Sequence, residues 1–191
     1  MINFIETSPH QLSALCVVRA NRAVHEAATD PTQWFLVIVD LHRALNSALV
    51  AALRGSAGVG AYPLKLRRQW LDYFEQSRTK DVAAPDQDRV ESFLVLLSLA
   101  QKASPDLQGE PLKLSPQELK DLEKLNSLRD DIEHVKPTAW SLEVVGLPRI
   151  ARSAAVALAH LYLLPPVYMH LRETELAEAR LAISEILERK D

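Results

Sequence analysis

The stretch that decides the fold reads WFLVIVDLHRALNSALVAALR, residues 34–54. Apolar residues occupy nearly all sides of a helix built from it, which is typical of a helix at the centre of a protein. Asp30 and Pro31 precede it as a helix-start signal, and Gly55 follows it as a residue suited to a left-handed C-cap. A membrane span needs about 20 predominantly apolar residues, and this stretch is interrupted by Asp40, His42, Arg43, Asn46 and Ser47. We therefore predict a central, buried helix of a protein that stays out of the membrane.

The same kind of signal bounds further helices on both sides of this stretch. Ser8 and Pro9 open a first helix, and Ser115 with Glu118 forms a capping box at the start of another. Prolines and glycines separate the remaining helical patterns, and no stretch reads convincingly as a strand. With Asp86 as the cap of the fourth, the predicted helices span approximately residues 9–28, 31–54, 63–78, 87–103, 116–134, 148–163 and 167–190.

These boundaries predict an all-α fold, a single-domain bundle of about seven helices over residues 1–191. The last helix, residues 168–190, is highly charged and carries only a sparse apolar stripe. It could pack on the body of the bundle or on a partner subunit.

Composition limits the class of protein. Hydrophobic residues make up 48% of the 191 residues, which excludes a disordered chain. Cys16 is the only cysteine, so the chain can form neither an internal disulfide nor a cysteine metal cluster. The net charge of −3 argues against a dedicated nucleic-acid-binding protein but leaves room for a small local site. The N-terminal residues lack a basic region followed by an apolar run, so we expect a cytoplasmic protein without a signal peptide.

Two groups of polar residues have more than one interpretation. Asp40, Arg43 and Ser47 recur at helical spacing on the central helix, with Asn46 beside them and His42 on the flank. They form either an exposed strip or the polar wall of a cleft. The third helix carries a basic cluster of Lys65, Arg67 and Arg68, which is either a solvated face or a contact for phosphate.

The residues that suggest chemistry lie at the end of the fifth helix, in LNSLRDDIEH, residues 125–134. Arg129 and His134 are five positions apart, about 140° around an α-helix, so they border one cleft only if the helix edge faces it or the last turn distorts. Arg129 and Glu133 are four positions apart, as are Asp130 and His134, so the members of each pair can touch. Glu133 could hold the guanidinium, and Asp130 could orient the imidazole.

A positioned histidine and arginine suit metal-independent cleavage of RNA, in which the ribose 2′-hydroxyl is the nucleophile. Histidine titrates near neutral pH, so His134 could act as general acid or base. Arg129 could bind the phosphate and stabilise the charge that develops on its oxygens. The alternative without chemistry is an exposed, charged end of a helix, stabilised by side-chain pairs four residues apart. No metal-ligand spacing, glycine-rich phosphate loop or nucleophile elbow is present, so we expect no metal or cofactor.

The segment from Leu128 to His134, on a late helix of a small all-helical protein, resembles the signature of the HEPN superfamily (higher eukaryote and prokaryote nucleotide-binding domains). That signature is an arginine, a polar residue, three variable residues and a histidine. Arg129 and His134 match it, and Asp130 stands at the polar position, where asparagine is more typical. The continuation through Trp140 to Pro148 is similar to a group of uncharacterised bacterial HEPN-like proteins.

This resemblance implies a helical bundle that forms a homodimer, with the motifs of two subunits near each other in a shared cleft. Many HEPN domains are metal-independent ribonucleases of toxin–antitoxin, phage-defence or RNA-processing systems. Others are inactive and serve as nucleotide-binding or protein-interaction modules. For this chain the resemblance implies RNA and an antitoxin-type protein as partners. The polar interruptions of the central helix predict no membrane partner.

The resulting hypothesis assigns catalysis to Arg129 and His134. The supporting residues would be Asp130, Glu133, Asn46 and Asp40. The substrate contacts would be Lys65, Arg68 and Trp140. A catalytic site predicts an exposed His134 in a cleft near Arg129, whereas an interaction module predicts an arginine occupied by its own carboxylates and an open apolar patch elsewhere. A purely structural protein, whose charged last helix docks a partner, predicts a buried His134.

Overall fold

The computed structural model describes residues 7–134 and 137–189, and within them it contains eight α-helices, one short 3-10 turn (Pro31–Gln33) and no strand. The α-helices are α1 (Pro9–Glu26), α2 (Trp34–Ala52), α3 (Leu64–Gln76), α4 (Phe93–Ala100), α5 (Pro116–Glu133), α6 (Leu147–Leu161), α7 (Pro165–Tyr168) and α8 (Glu173–Glu188). The prediction of an all-α helical bundle is confirmed.

The helix α2 lies at the centre of the bundle. α1, α5 and α6 pack against it, α4 and α7 cover further parts of its surface, and α8 packs on α1 and α6. Leu41, Leu45 and Leu49 of α2 are completely buried. The segment Pro31–Ala52 is long and apolar enough to cross a membrane, with a mean hydropathy of 1.5, but 67% of its most apolar window is buried inside the protein. That burial is typical of the core helix of a soluble protein. The charged helix α8 packs on α1 and α6 of the same chain.

The predicted helix starts are confirmed where local chemistry determines them. The Ser8 hydroxyl accepts a hydrogen bond from the Gln11 backbone at the start of α1. Ser115 and Glu118 form the predicted capping box at the start of α5. Asp30 caps the 3-10 turn that leads into α2. Each cap satisfies a backbone N–H that has no partner within its helix.

The predicted fourth helix is too long at its N-terminus. α4 begins at Phe93, and Asp86 caps no helix. The preceding residues instead bond to distant parts of the chain: the Trp70 indole donates to the Gln87 carbonyl, and the Glu91 N–H donates to the Ala61 carbonyl. These tertiary hydrogen bonds replace the helical ones, and residues 86–89 carry no apolar side chain that helix formation would bury.

The predicted last helix is divided. α7 ends at Tyr168, a turn follows, and α8 begins at Glu173. Arg172 and Glu175 form a side-chain pair, and the Glu175 carboxylate also accepts from the Arg172 backbone N–H at the start of α8. This interaction starts a helix anew at a point where the sequence pattern predicts a continuous one.

Candidate functional site

Arg129 lies near the end of α5, on the side that faces α2, and it is held by two carboxylates. Its Nη1 atom is 3.1 Å from a Glu133 oxygen and 3.1 Å from an Asp130 oxygen. One quarter of the Arg129 side chain is exposed. The predicted contact between Glu133 and the guanidinium is therefore present, and Asp130 joins it.

A second arginine, Arg43 of α2, shares the same carboxylate. Its Nη2 atom lies 3.1 Å from the other Glu133 oxygen, so one glutamate bridges two guanidinium groups on two helices. Together with Asn46, these three side chains line a depression of about 190 Å³ between α2 and α5. The structure thus brings Asn46 beside Arg129, and it adds Arg43, which the sequence placed only within a polar strip.

His42 is the residue of this cluster that the sequence did not assign. It is buried, with its ring 4.5 Å from the Phe93 ring, and its Nε2 atom lies 3.0 Å from Asn126 Oδ1 and 3.3 Å from Arg129 Nη2. The Asn126 amide nitrogen lies 3.3 Å from an Asp130 oxygen. Because a carboxylate requires a donor, the asparagine presents its oxygen to His42, and this arrangement puts the His42 proton on Nε2. The Arg129 Nη2 atom is also a donor, so its contact with Nε2 is then no hydrogen bond.

The hydrogen bonds therefore run from His42 to Asn126, from Asn126 to Asp130, and from Arg129 to Asp130. Burial, and next the positive charge of Arg129, lower the pKa of His42 to about 4. The imidazole is thus neutral at pH 7 and serves as a donor rather than as an acid. The polar residues of α2 are also mostly buried, since Asp40, His42 and Ser47 are each less than a tenth exposed. The exposed-strip interpretation is therefore wrong for these three residues.

We expect His42 to make the fold sensitive to acid. Because its pKa is lower in the folded than in the unfolded protein, the unfolded protein binds more protons between pH 6.5 and 4, and stability falls as the pH falls through this window. The loss should be on the order of 3 kcal/mol by pH 4. Urea unfolding of the parent and of His42→Phe at pH 7, 5.5 and 4.5 measures it. The variant should lose this decline, and equal slopes for both proteins would contradict the assignment.

His134 is the C-cap residue of α5, and it is exposed. Its backbone N–H donates to the Asp130 carbonyl, and within residues 7–134 and 137–189 its imidazole makes no hydrogen bond or ion pair. The Asp130 carboxylate is engaged by Arg129 and Asn126, so the predicted orientation of the imidazole by Asp130 is not observed. The exposure also contradicts the interpretation of His134 as a buried structural histidine.

His134 and Asp130 are not among the residues that line the depression, and the remaining predicted site residues lie apart from it. Asp40 pairs with Arg19 of α1 at 3.2 Å, and burial raises its pKa. Lys65 and Arg68 are exposed on α3, and Lys65 lines a separate groove. Trp140 packs edge-on against Phe35, with ring centroids 5.9 Å apart. None of these four lines the depression beside Arg129.

Among the residues described, no three histidine, cysteine, aspartate or glutamate side chains cluster closely enough to hold a metal ion. The chain matches no family model, no curated protein and no solved structure at a significant level.

Proposed function

We propose that this chain is a HEPN-like, metal-independent endoribonuclease that acts as a cytoplasmic homodimer in a bacterial toxin–antitoxin or defence system. The observation that carries the proposal is the exposed imidazole of His134 at the end of the helix that holds Arg129. A catalytic acid or base must be able to reach the substrate, and a helix holds a phosphate-binding arginine in a fixed position for the reaction.

In this mechanism the ribose 2′-hydroxyl attacks the adjacent phosphorus. A histidine removes the hydroxyl proton, a second group protonates the departing 5′-oxygen, and the products carry a 2′,3′-cyclic phosphate and a 5′-hydroxyl. Arg129 stabilises the charge on the non-bridging oxygens. One histidine cannot be base and acid in the same step, so a dimer that contributes His134 from each subunit completes the chemistry.

The carboxylates around Arg129 determine when the site can bind phosphate. Glu133 forms ion pairs with both Arg43 and Arg129, and a phosphate that replaces it would gain two guanidinium partners at once. Until that exchange occurs, Glu133 holds one terminal nitrogen of each arginine. RNA binding therefore competes with the Glu133 ion pairs.

The direct test is incubation of the purified protein with mixed RNA in EDTA. We expect cleavage, with products that end in 2′,3′-cyclic phosphates. Absence of cleavage of every RNA pool by the folded dimer would remove the ribonuclease proposal.

A non-catalytic interaction module of the same fold is the second candidate. The engagement of Arg129 by Asp130 and Glu133 favours it, together with the exposed apolar side chains Val145, Leu163 and Met169. It predicts that the protein leaves RNA intact and that Arg129→Ala leaves partner binding unchanged.

We expect Glu133→Gln to raise the affinity for RNA. The substitution removes the charge that neutralises Arg43 and Arg129 while it preserves the size of the side chain. A gain of about 3-fold to 10-fold is reasonable for freeing two partly exposed cations. Filter binding of a short RNA at several salt concentrations measures it, with Glu123→Gln, an exposed position on α5, as the control. Unchanged affinity in Glu133→Gln would show that the two arginines do not meet phosphate.

A further inference from the structure

A second cleft lies at the other end of α2, away from Arg129. It has a volume of about 890 Å³ and is bounded by the first turn of α1, the end of α2 and the side chains of Tyr62, Arg89 and His170. We call it the N-terminal cleft. Arg54 and His170 line both this cleft and a smaller adjoining depression of about 410 Å³. The combined volume of the two spaces is larger than the volume that a single ordered water molecule needs.

The N-terminal cleft is positively charged. Arg54 and Arg89 line it, and within the described part of the chain neither forms an ion pair. Among the described residues that line it, the one carboxylate is Asp88, which accepts a hydrogen bond from the Tyr62 hydroxyl. The positive end of the α1 dipole also faces this space, because Ser8 and Pro9 belong to its lining. These charges favour an anion.

His10 gives the cleft a specific hydrogen-bonding requirement. The side chain is 3% exposed, and its Nε2 atom is buried without a hydrogen-bond partner among the described residues. Burial and the nearby His170 lower the pKa of His10, while the Pro166 carbonyl acts in the opposite direction. The ring is therefore neutral at pH 7, with its proton directed to Pro166, and Nε2 offers a lone pair that requires a donor.

The ring of His170 covers His10. Their centroids are 4.6 Å apart, and His170 lies in the exposed turn between α7 and α8. Because this turn belongs to no helix, movement of His170 would open Nε2 to the cleft without displacing the core.

We propose that the N-terminal cleft binds a small hydroxylated anion, with Arg54 and Arg89 on the charged group and His10 accepting a hydrogen bond from a hydroxyl once His170 has moved aside. Two sources share this chemistry, a phosphorylated sugar and a sugar-derived carboxylate. The site is separate from the Arg129 cluster and is independent of the ribonuclease proposal.

Calorimetric titration of the full chain with glucose 6-phosphate, gluconate, inorganic phosphate and glucose tests the proposal. We expect glucose 6-phosphate or gluconate to bind at least 5-fold more tightly than inorganic phosphate, and the tighter of the two identifies the charged group (about this factor follows from one added hydrogen bond). Glucose alone should not bind detectably. Failure of both hydroxylated anions to bind would overturn the proposal.

Substitutions of the residues that line the N-terminal cleft test whether the ligand binds there. Arg54→Gln and Arg89→Gln should each weaken the tighter ligand at least 5-fold, whereas Arg78→Gln, an exposed position outside the cleft, should not (a lost charge-assisted hydrogen bond has about this effect or more). His10→Phe should abolish the preference over inorganic phosphate. His170→Ala, which uncovers His10 without altering it, should bind as tightly as the parent or more tightly. Equal binding by the parent, Arg54→Gln and Arg89→Gln would place the ligand elsewhere and reject the site.

Discussion

His134→Ala should reduce RNA cleavage by about 100-fold to 10,000-fold, the usual contribution of a positioned acid or base. Because the side chain is exposed and forms no hydrogen bond or ion pair with the described part of the chain, the fold should be unaffected, within about 0.5 kcal/mol. Initial rates in EDTA, measured beside the thermal unfolding of each protein, provide the test. His25→Ala, an exposed histidine of α1, is the matched control and should retain the parent's rate.

The dimer requirement makes this test sharper. If each cleavage event uses His134 from both subunits, mixed dimers of parent and His134→Ala are impaired as well. After subunit exchange between equal concentrations of the two proteins, only about one quarter of the dimers are fully parental. Activity should then be about one quarter, rather than one half, of that of the parent at the same total protein concentration. A fall to one half would show that each subunit works alone. Retention of full activity by pure His134→Ala would remove His134 from the mechanism altogether.

The sequence predicted the helices whose starts depend on neighbouring residues. Ser8 and the Ser115–Glu118 capping box act over three positions, so the sequence alone reveals them. The start of α4 depends instead on hydrogen bonds between residues 86–92 and distant residues such as Trp70, which no local pattern reports. The break between α7 and α8 has a local cause, since Arg172 and Glu175 lie three positions apart at the start of α8. Arginine is not one of the usual cap residues, so the pattern did not reveal it.

The site divides in the same way. The contact of Arg129 with Glu133 lies within one helix and followed from their spacing. His42 contacts Asn126 and Arg129 across 84 and 87 positions of sequence, so its role depended on how α2 and α5 pack. The sequence feature that could have revealed His42 is its position within a nearly continuous apolar helix. A histidine that is buried in such a helix needs a polar partner.

Arg149→Ala should destabilise the protein more than Asp121→Asn. Asp121 is 2% exposed, and its carboxylate accepts from Arg149 at 3.0–3.2 Å, from Ser153 at 2.9 Å and from Gln117 at 3.0 Å. Removal of the arginine leaves a buried charge without a cation, at a cost of about 2–4 kcal/mol, reduced from a fully buried pair because Arg149 is 56% exposed. Asp121→Asn removes that charge and should cost about 1 kcal/mol.

The pH dependence identifies the cause of this difference. Burial would raise the pKa of Asp121, but hydrogen bonds from Arg149, Ser153 and Gln117 lower it, so in the parent its contribution is present above about pH 4 and is lost as the pH falls through the folded pKa. Without Arg149 burial dominates, the pKa of Asp121 rises, and protonation relieves the unpaired charge.

The destabilisation by Arg149→Ala, measured by urea unfolding, should therefore shrink between pH 7 and 5. The effect of Asp121→Asn should stay constant over that interval, because the parent carboxylate remains ionised throughout it. His42 titrates in the same range in all three proteins and cancels when each variant is compared with the parent. A pH-independent loss in Arg149→Ala would mean that the arginine stabilises α5 and α6 by packing rather than by charge.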